Sequence, residues 1–219
     1  MFRSLTAAVF VATCAGILAA APIPVDSADP AFIDLAPHVN LKLTENFHSI
    51  QFSENNLGNL PTGKQTFAGV KFNVGKGLIQ LKSAKMPEMP AKVEGIKVGR
   101  FPLKVHFLHA CAYQATEEVL IGKYVVHYED KTTADIEIVY GKDVVDWWVK
   151  AGQQAPTRGK VAWEGENVAA KGQEAKIKLY LTTWENPNPK KKVVSIDYLA
   201  TAPEGEPAPF CVAITAEEK

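Results

Sequence analysis

The sequence predicts an all-β domain, a sandwich or barrel of short antiparallel strands. Three observations predict it. Apolar residues recur at every second position in run after run, the period of a strand with one buried face. Clusters of Gly, Pro, Asn and Lys separate those runs at short intervals, as turns do. No stretch carries an apolar period of 3.6 over three turns with proper caps, so the strand–helix alternation of a parallel α/β sheet is absent.

The first 21 residues, MFRSLTAAVFVATCAGILAAA, are unlike the rest. Arg3, an uncharged apolar stretch from Leu5 to Leu18, and the small residues Ala19, Ala20 and Ala21 follow the three-part layout of a Sec-type signal peptide. That stretch is shorter than the ~20 residues a membrane span needs, and no later segment is long and apolar enough. Cleavage is expected near Ala19 to Ala21, which places the protein in the secreted fraction, the periplasm or the cell envelope. A lipid anchor on Cys14 is the weaker alternative, because Thr13 suits that processing poorly and Cys14 lies inside the apolar stretch. Residues 22–31 read as a short proline-bearing linker and residues 32–219 as one β-sandwich domain. Removing the signal leaves about 198 of the 219 residues, a common size for a single β domain.

Within the domain, GVKFNVG puts Val70, Phe72 and Val74 on one side. LKVHFLHACAY does so for Leu103, Val105, Phe107, His109 and Cys111. Tyr124, Val126 and Tyr128 form the next such face, then Ile136, Ile138 and Tyr140. Later runs give Ile177, Leu179 and Leu181, then Val194, Ile196 and Tyr198, and finally Phe210, Val212 and Ile214. With GLIQL and VEGIKVG the strands number roughly nine. VGKG, YGKD and ENPNPKK are the turns between them.

Charge and motifs exclude several functions. The formal net charge is zero, which argues against nucleic acid as the main partner, since phosphate binding needs a basic face. The run Lys190, Lys191, Lys192 reads as a solvated loop. The G-x-S-x-G elbow, H-E-x-x-H and Walker A patterns do not occur. His106 and His109 sit at odd spacing on one strand, point to opposite faces and cannot chelate one metal together. Glu94, Glu129, Asp130, Asp143 and Asp146 supply carboxylates for a glycosidase pair, but nothing in their spacing selects two. No cofactor is expected. A structural Ca²⁺ is conceivable at Ser53 to Gly63, where Glu54, Asn55 and Asn56 offer oxygens, although Asn and Gly serve turns on their own.

Two cysteines, Cys111 and Cys211, follow the signal. In an exported protein they are candidates for a disulfide, which would close a loop of about 100 residues and contribute at most about 4.7 kcal/mol. The alternative is a pair of free buried thiols.

The four tryptophans are Trp147, Trp148, Trp163 and Trp184. Adjacent residues of an extended segment face opposite ways, so Trp147 and Trp148 cannot form one flat platform: one ring faces the core and one is free to make contacts. Trp163 and Trp184 each precede a Glu, with Asn167 and Asn186 close behind in segments that read as loops. An aromatic face beside amide hydrogen-bonding groups suits a sugar, which has a C–H face and a hydroxyl rim. Trp148, Trp163, Trp184, Asn167 and Asn186 are therefore the candidate ligand contacts. The competing reading is that these rings close the ends of the sandwich, where burial takes about 150–250 Å² of each out of water.

NNLGNLPTGKQTFAGVKFNVGKGLIQL, VEGIKVGRFPLKVHFLHA, GKYVVHYEDKT, IVYGKDVVDWW, RGKVAWEGEN, KLYLTTWENPNP and SIDYLATAP follow one another in order. Together, from about Phe32 to Thr215, they resemble an uncharacterised group of exported or membrane-attached bacterial domains of planctomycete type. The resemblance implies a galactose-binding-like jelly-roll sandwich of two antiparallel sheets, similar to carbohydrate-binding modules, and it brings no catalytic residues. Such a fold hosts many functions. The expectation is a non-catalytic module that binds carbohydrate or another cell-envelope component. The alternatives are an envelope protein–protein interaction domain, offering an edge strand or apolar patch, and a glycan hydrolase.

Overall fold

The computed structural model describes residues 31–48 and 52–218. The expected signal and the lead as far as residue 30 lie outside them. In chain order the strands are β1 (Ala31–Ile33), β2 (Leu41–Lys42), β3 (Gly63–Phe67), β4 (Val70–Val74), β5 (Gly77–Gln80), β6 (Lys92–Arg100) and β7 (Lys104–Ala112). They continue with β8 (Leu120–Tyr128), β9 (Thr133–Val139), β10 (Trp148–Lys150), β11 (Lys160–Gly165), β12 (Ala175–Glu185), β13 (Val193–Ala200) and β14 (Ala208–Glu217). Helix among the described residues is limited to α1 (Val168–Lys171) and a single 3₁₀ turn at Ala36–His38. The protein is all-β, as its patterning predicts.

The strands form antiparallel sheets. One runs β10-β12-β7-β14-β5-β2, with β1 added to β14 and β11 to β12. A second runs β6-β13-β8-β9, and β3 and β4 form a separate hairpin. The two larger sheets pack face to face. Phe107 of β7 stacks on Tyr124 of β8 at 4.0 Å, and Tyr124 stacks on Tyr198 of β13 at 4.6 Å. Offset-stacked rings at this spacing add to the free energy of burying their area.

Position in the sheets explains the sequence patterns. β8 lies in the second sheet with one face inward, so Tyr124, Val126 and Tyr128 are buried and the residues between them are less so. β7 and β14 lie inside the first sheet with both faces covered. Every residue of β7 after Lys104, and every residue of β14 before Glu217, is buried. The β3–β4 hairpin helps cover the outer face of β14, where the Thr215 hydroxyl donates to the Lys71 carbonyl at 2.9 Å. The β8–β9 turn is closed by Asp130, whose carboxylate accepts from the Thr132 N–H at 3.1 Å.

Two details depart from the alternation read in the sequence. In β13 the inward residue is Val193, fully buried, whereas Val194 is exposed. A bulge between Val193 and Ser195 adds a residue to the pairing and flips the phase of the strand. Of the two readings of Cys111 and Cys211, the disulfide is not formed: both are free buried thiols. Cys211 stands opposite His109, and Cys111 opposite Pro209, so the two cysteines are diagonal neighbours on β7 and β14. Diagonal positions lie about 7–8 Å apart, whereas a disulfide needs Cβ atoms about 3.8 Å apart.

Candidate functional site

The segment Tyr140–Trp148 is held from three sides. Asp143, fully buried, accepts two hydrogen bonds from the Arg158 guanidinium, each at 2.6 Å, and a third from the Val139 N–H at 2.8 Å. Gly159 follows directly, and a Cβ there would lie 1.9 Å from the Asp143 carbonyl, so only glycine permits this approach. The Trp147 N–H donates to Cys111 O, and the Lys178 N–H donates to Trp147 O, each at 2.8 Å. The Tyr180 hydroxyl donates to Asp146 O at 3.1 Å. These ties to β7 and β12 fix which tryptophan points inward. Trp147 is only 2% exposed and stacks on Phe47 at 4.9 Å. Trp148 is half-buried, and its ring packs beside Phe52 at 5.4 Å.

Trp148 stands on the wall of an open cleft of about 830 Å³. Phe47, His48, Phe52, Asn55, Met86, Met89, Lys85 and Glu88 line it. Asn46, Tyr113, Asp146, Trp147 and Glu206 also line it, with Leu41 and Ala112. The volume falls within the range of small-molecule sites, which are about 300–1,000 Å³, and such sites combine apolar walls with a few polar groups. The charged lining is three carboxylates to one lysine, and Lys85 is already paired with Glu206 at 3.1 Å.

Three ionisable groups in the cleft are displaced from their ordinary behaviour. Burial raises the Asp146 carboxyl to about 6, against the pull of hydrogen bonds from the Trp148 and Trp147 N–H groups. Burial, followed by the nearby carboxylates Asp146 and Glu206, raises the Tyr113 phenol. Burial lowers the His48 imidazole to about 3, against the hydrogen bond to Gln80. At neutral pH the cleft therefore holds an ionised Asp146, a neutral His48 and a neutral Tyr113.

Of the five expected ligand contacts, the structure places only Trp148 on this cleft. Trp163 lies on β11 rather than a loop, its ring folded over Gly165, where a Cβ would lie 2.2 Å from the ring. Trp184 lies near the end of β12, opposite Val105. Asn186 is buried and holds the chain together: its side chain accepts from the Tyr128 hydroxyl at 2.7 Å and donates to Pro102 O at 2.8 Å. Asn167 caps α1 by accepting from the Ala170 N–H at 2.7 Å. It also supports the cleft from behind. Its amide donates to Asn55 Oδ1 at 3.3 Å, and the same oxygen accepts from Trp148 Nε1 at 3.2 Å.

That last contact bears on the Ca²⁺ reading of Ser53 to Gly63. Asn55 Oδ1 is taken by Trp148 and Asn167, and Asn56 Oδ1 accepts from the Gly58 N–H at 2.9 Å. These amides serve the turn and the tryptophan. Among the described residues, no three His, Cys, Asp or Glu side chains gather in a metal-holding group. His106 and His109 face opposite sides of β7: His106 meets Thr183 and Glu217, His109 meets Thr182 and Tyr124. His127 pairs with Asp197 at 2.9 Å. Among the carboxylates considered for catalysis, only Asp146 reaches the cleft. Asp143 is locked to Arg158, Asp130 to Lys191, and Glu94 to Lys92.

Sequence reasoning missed His48, Glu88, Tyr113 and Glu206. No period or spacing joins them, because they come from four separate connections that the sandwich brings to one end. Comparison with protein-family models, curated proteins and solved structures finds no match for this chain.

Proposed function

We propose that this protein is an exported, non-catalytic jelly-roll module that binds a neutral carbohydrate in the cleft beside Trp148. The single observation that carries the reading is the pairing of Trp148 and Phe52 with Asn46, Asp146 and Glu88 around one open cavity. An aromatic wall with hydroxyl-binding groups at its rim suits a sugar ring, and three carboxylates to one lysine disfavour an anionic ligand. The strand orders support the jelly roll. Without the short additions they are β5-β14-β7-β12 and β6-β13-β8-β9, with successive strands passing from sheet to sheet except at the β8–β9 hairpin. The N-terminal layout of Arg3, apolar stretch and triple alanine supports export.

Pull-down on insoluble neutral polysaccharides, followed by calorimetry with soluble gluco-, galacto- and xylo-oligosaccharides, tests the reading. Trp148→Ala is expected to weaken binding at least about tenfold, as loss of an anchoring aromatic does. Trp163→Ala and Trp184→Ala are expected to leave binding in place. Absence of binding to every polysaccharide, or full binding by Trp148→Ala, overturns it.

Asp146 favours a second reading, a glycan hydrolase. A carboxyl held near 6 is suited to general acid catalysis, and Glu88 is a second carboxylate on the same cleft. Release of new reducing ends from a bound polysaccharide, abolished in Asp146→Asn, would select it over simple binding.

A further inference from the structure

His48 is only 6% exposed, yet one of its two ring nitrogens has no partner among the described residues. The orientation of that ring follows from backbone groups. Gln80 Nε2 donates to Leu81 O at 2.9 Å and to Pro209 O at 3.2 Å. Those two carbonyls accept only, so the Gln80 amide has one orientation and its Oε1 faces His48. His48 Nε2 approaches that oxygen at 2.7 Å and must therefore carry the proton. Nδ1 is left as a bare lone pair, and no donor among the described residues reaches it.

The ring is locked in place by its neighbours. Phe47, Trp147 and Phe210 surround it with centroids 4.3, 5.2 and 5.4 Å away. Its backbone sits at φ 70°, in the left-handed region that few side chains adopt without a compensating gain. A fixed, buried, unpaired acceptor on the lining of an open cleft is a group that an incoming donor can satisfy.

We infer that His48 Nδ1 accepts a hydrogen bond from a hydroxyl of the bound sugar, making His48 the residue that selects a ligand with a donor at the cleft floor. The inference rests on the carbohydrate reading above and adds a chemical requirement to it: a free hydroxyl, neither methylated nor replaced by an acceptor, must point at His48. The neutrality of the ring at ordinary pH supports this, because an imidazolium would present a second donor instead of an acceptor. Asp146, on the same cleft, adds carboxylate oxygens that accept hydrogen bonds from a polyol.

Long-range ¹H–¹⁵N spectra of histidine-labelled protein test it without a variant. In the free protein at pH 7, His48 is expected to be the Nε2–H tautomer, with Nδ1 showing the signal of an unbonded lone pair. Gluco-, galacto- and xylo-oligosaccharides are then added in turn, with Trp148 fluorescence reporting occupancy. Any sugar that changes Trp148 emission is expected to move the Nδ1 signal upfield. His48→Phe keeps an aromatic ring but removes the acceptor, and is expected to weaken that sugar roughly tenfold. If His48→Phe fails to fold, the spectra of the unaltered protein decide alone. An Nδ1–H tautomer, or a sugar that alters Trp148 while Nδ1 stays still, overturns the inference and leaves the carbohydrate reading standing. If no sugar alters Trp148, the carbohydrate reading fails and this inference falls with it.

Discussion

Asp146→Asn is expected to make the protein more stable and less able to bind. The carboxyl is raised from 3.8 to about 6 in the fold by burial, so the folded state holds this proton more tightly than the unfolded chain does. Folding is then favoured by protonation. The contribution of Asp146 is best below about pH 4, declines as pH rises from about 4 to about 6, and stays at its least favourable value above that. A shift of roughly two units corresponds to about 3 kcal/mol, and contact of the carboxylate with the cleft's solvent reduces the working figure to about 2 kcal/mol. Asparagine keeps the oxygen that accepts from the Trp148 N–H at 3.0 Å but carries no charge. The variant is therefore expected to gain about 2 kcal/mol at pH 7, or roughly 4–8 °C in Tm for a domain of this size. At pH 4 the two proteins are expected to melt together. Thermal and urea unfolding at both pH values measures this. Equal stability at pH 7, or a loss there, would refute the argument that Asp146 is a strained, desolvated carboxylate. Calorimetry with the oligosaccharide that binds best should show weaker binding by the same variant.

Two other outcomes follow from the geometry. His48 and His109 are held neutral by burial, lowered from 6.5 to about 3 and about 4 respectively. Their contribution is complete above pH 6.5 and is lost as pH falls through those values, together about 8 kcal/mol at the limit, which rivals the whole stability of an ordinary domain. Cooperative acid unfolding is expected above pH 3, read by tryptophan fluorescence and circular dichroism; an intact fold at pH 3 would contradict the burial of both rings. Asn167→Ala removes the cap of α1 and the support behind Asn55, so it is expected to lose about 1 kcal/mol of stability and to weaken sugar binding without touching the cleft. Unchanged Trp148 emission and unchanged affinity in that variant would show that the Asn167–Asn55–Trp148 chain does not position the ring.

The fold was legible because a strand with one buried face writes its period into the chain. Tyr124, Val126 and Tyr128 could be placed from their spacing alone, and they are buried as read. In β14 the face of Phe210, Val212 and Ile214 was read, but both faces are covered and the residues between them are buried as well. Val194 was misplaced because a bulge leaves no mark in composition. The opposed facing of Trp147 and Trp148 followed from chain geometry before any fold was known. The rest of the site was not readable, for a physical reason. His48 and Asp146 lie almost a hundred residues apart and line one cleft only because His48 is tied to Gln80 on β5 and Asp146 is bridged to Cys111 on β7. Asn167 and Asn186 looked like ligand groups because Asn beside Trp is also what a cap and a buried tie require.

The cleft gathers features that work against folding. Asp146 would fold more readily protonated, the buried His48 Nδ1 has no partner among the described residues, and His48 holds a left-handed backbone angle. Each is unfavourable by an amount on the order of 1–3 kcal/mol. Elsewhere the described buried histidines all find partners, Asp143 finds Arg158, and the bulge of β13 is absorbed within its sheet. Stability alone would replace Asp146 and His48 with residues that pack without such penalties. Left-handed angles also occur outside the cleft, at Ala68, Glu118, Lys131 and Glu174, and the buried Tyr198 hydroxyl has no partner among the described residues. What sets the cleft apart is that a desolvated carboxylate and an unpartnered ring nitrogen belong to residues lining one cavity, as in a binding site whose groups await a partner. The argument has a direct consequence: an occupant that donates to His48 and Asp146 should raise the melting temperature more at pH 7 than at pH 4, where Asp146 is already satisfied by its proton.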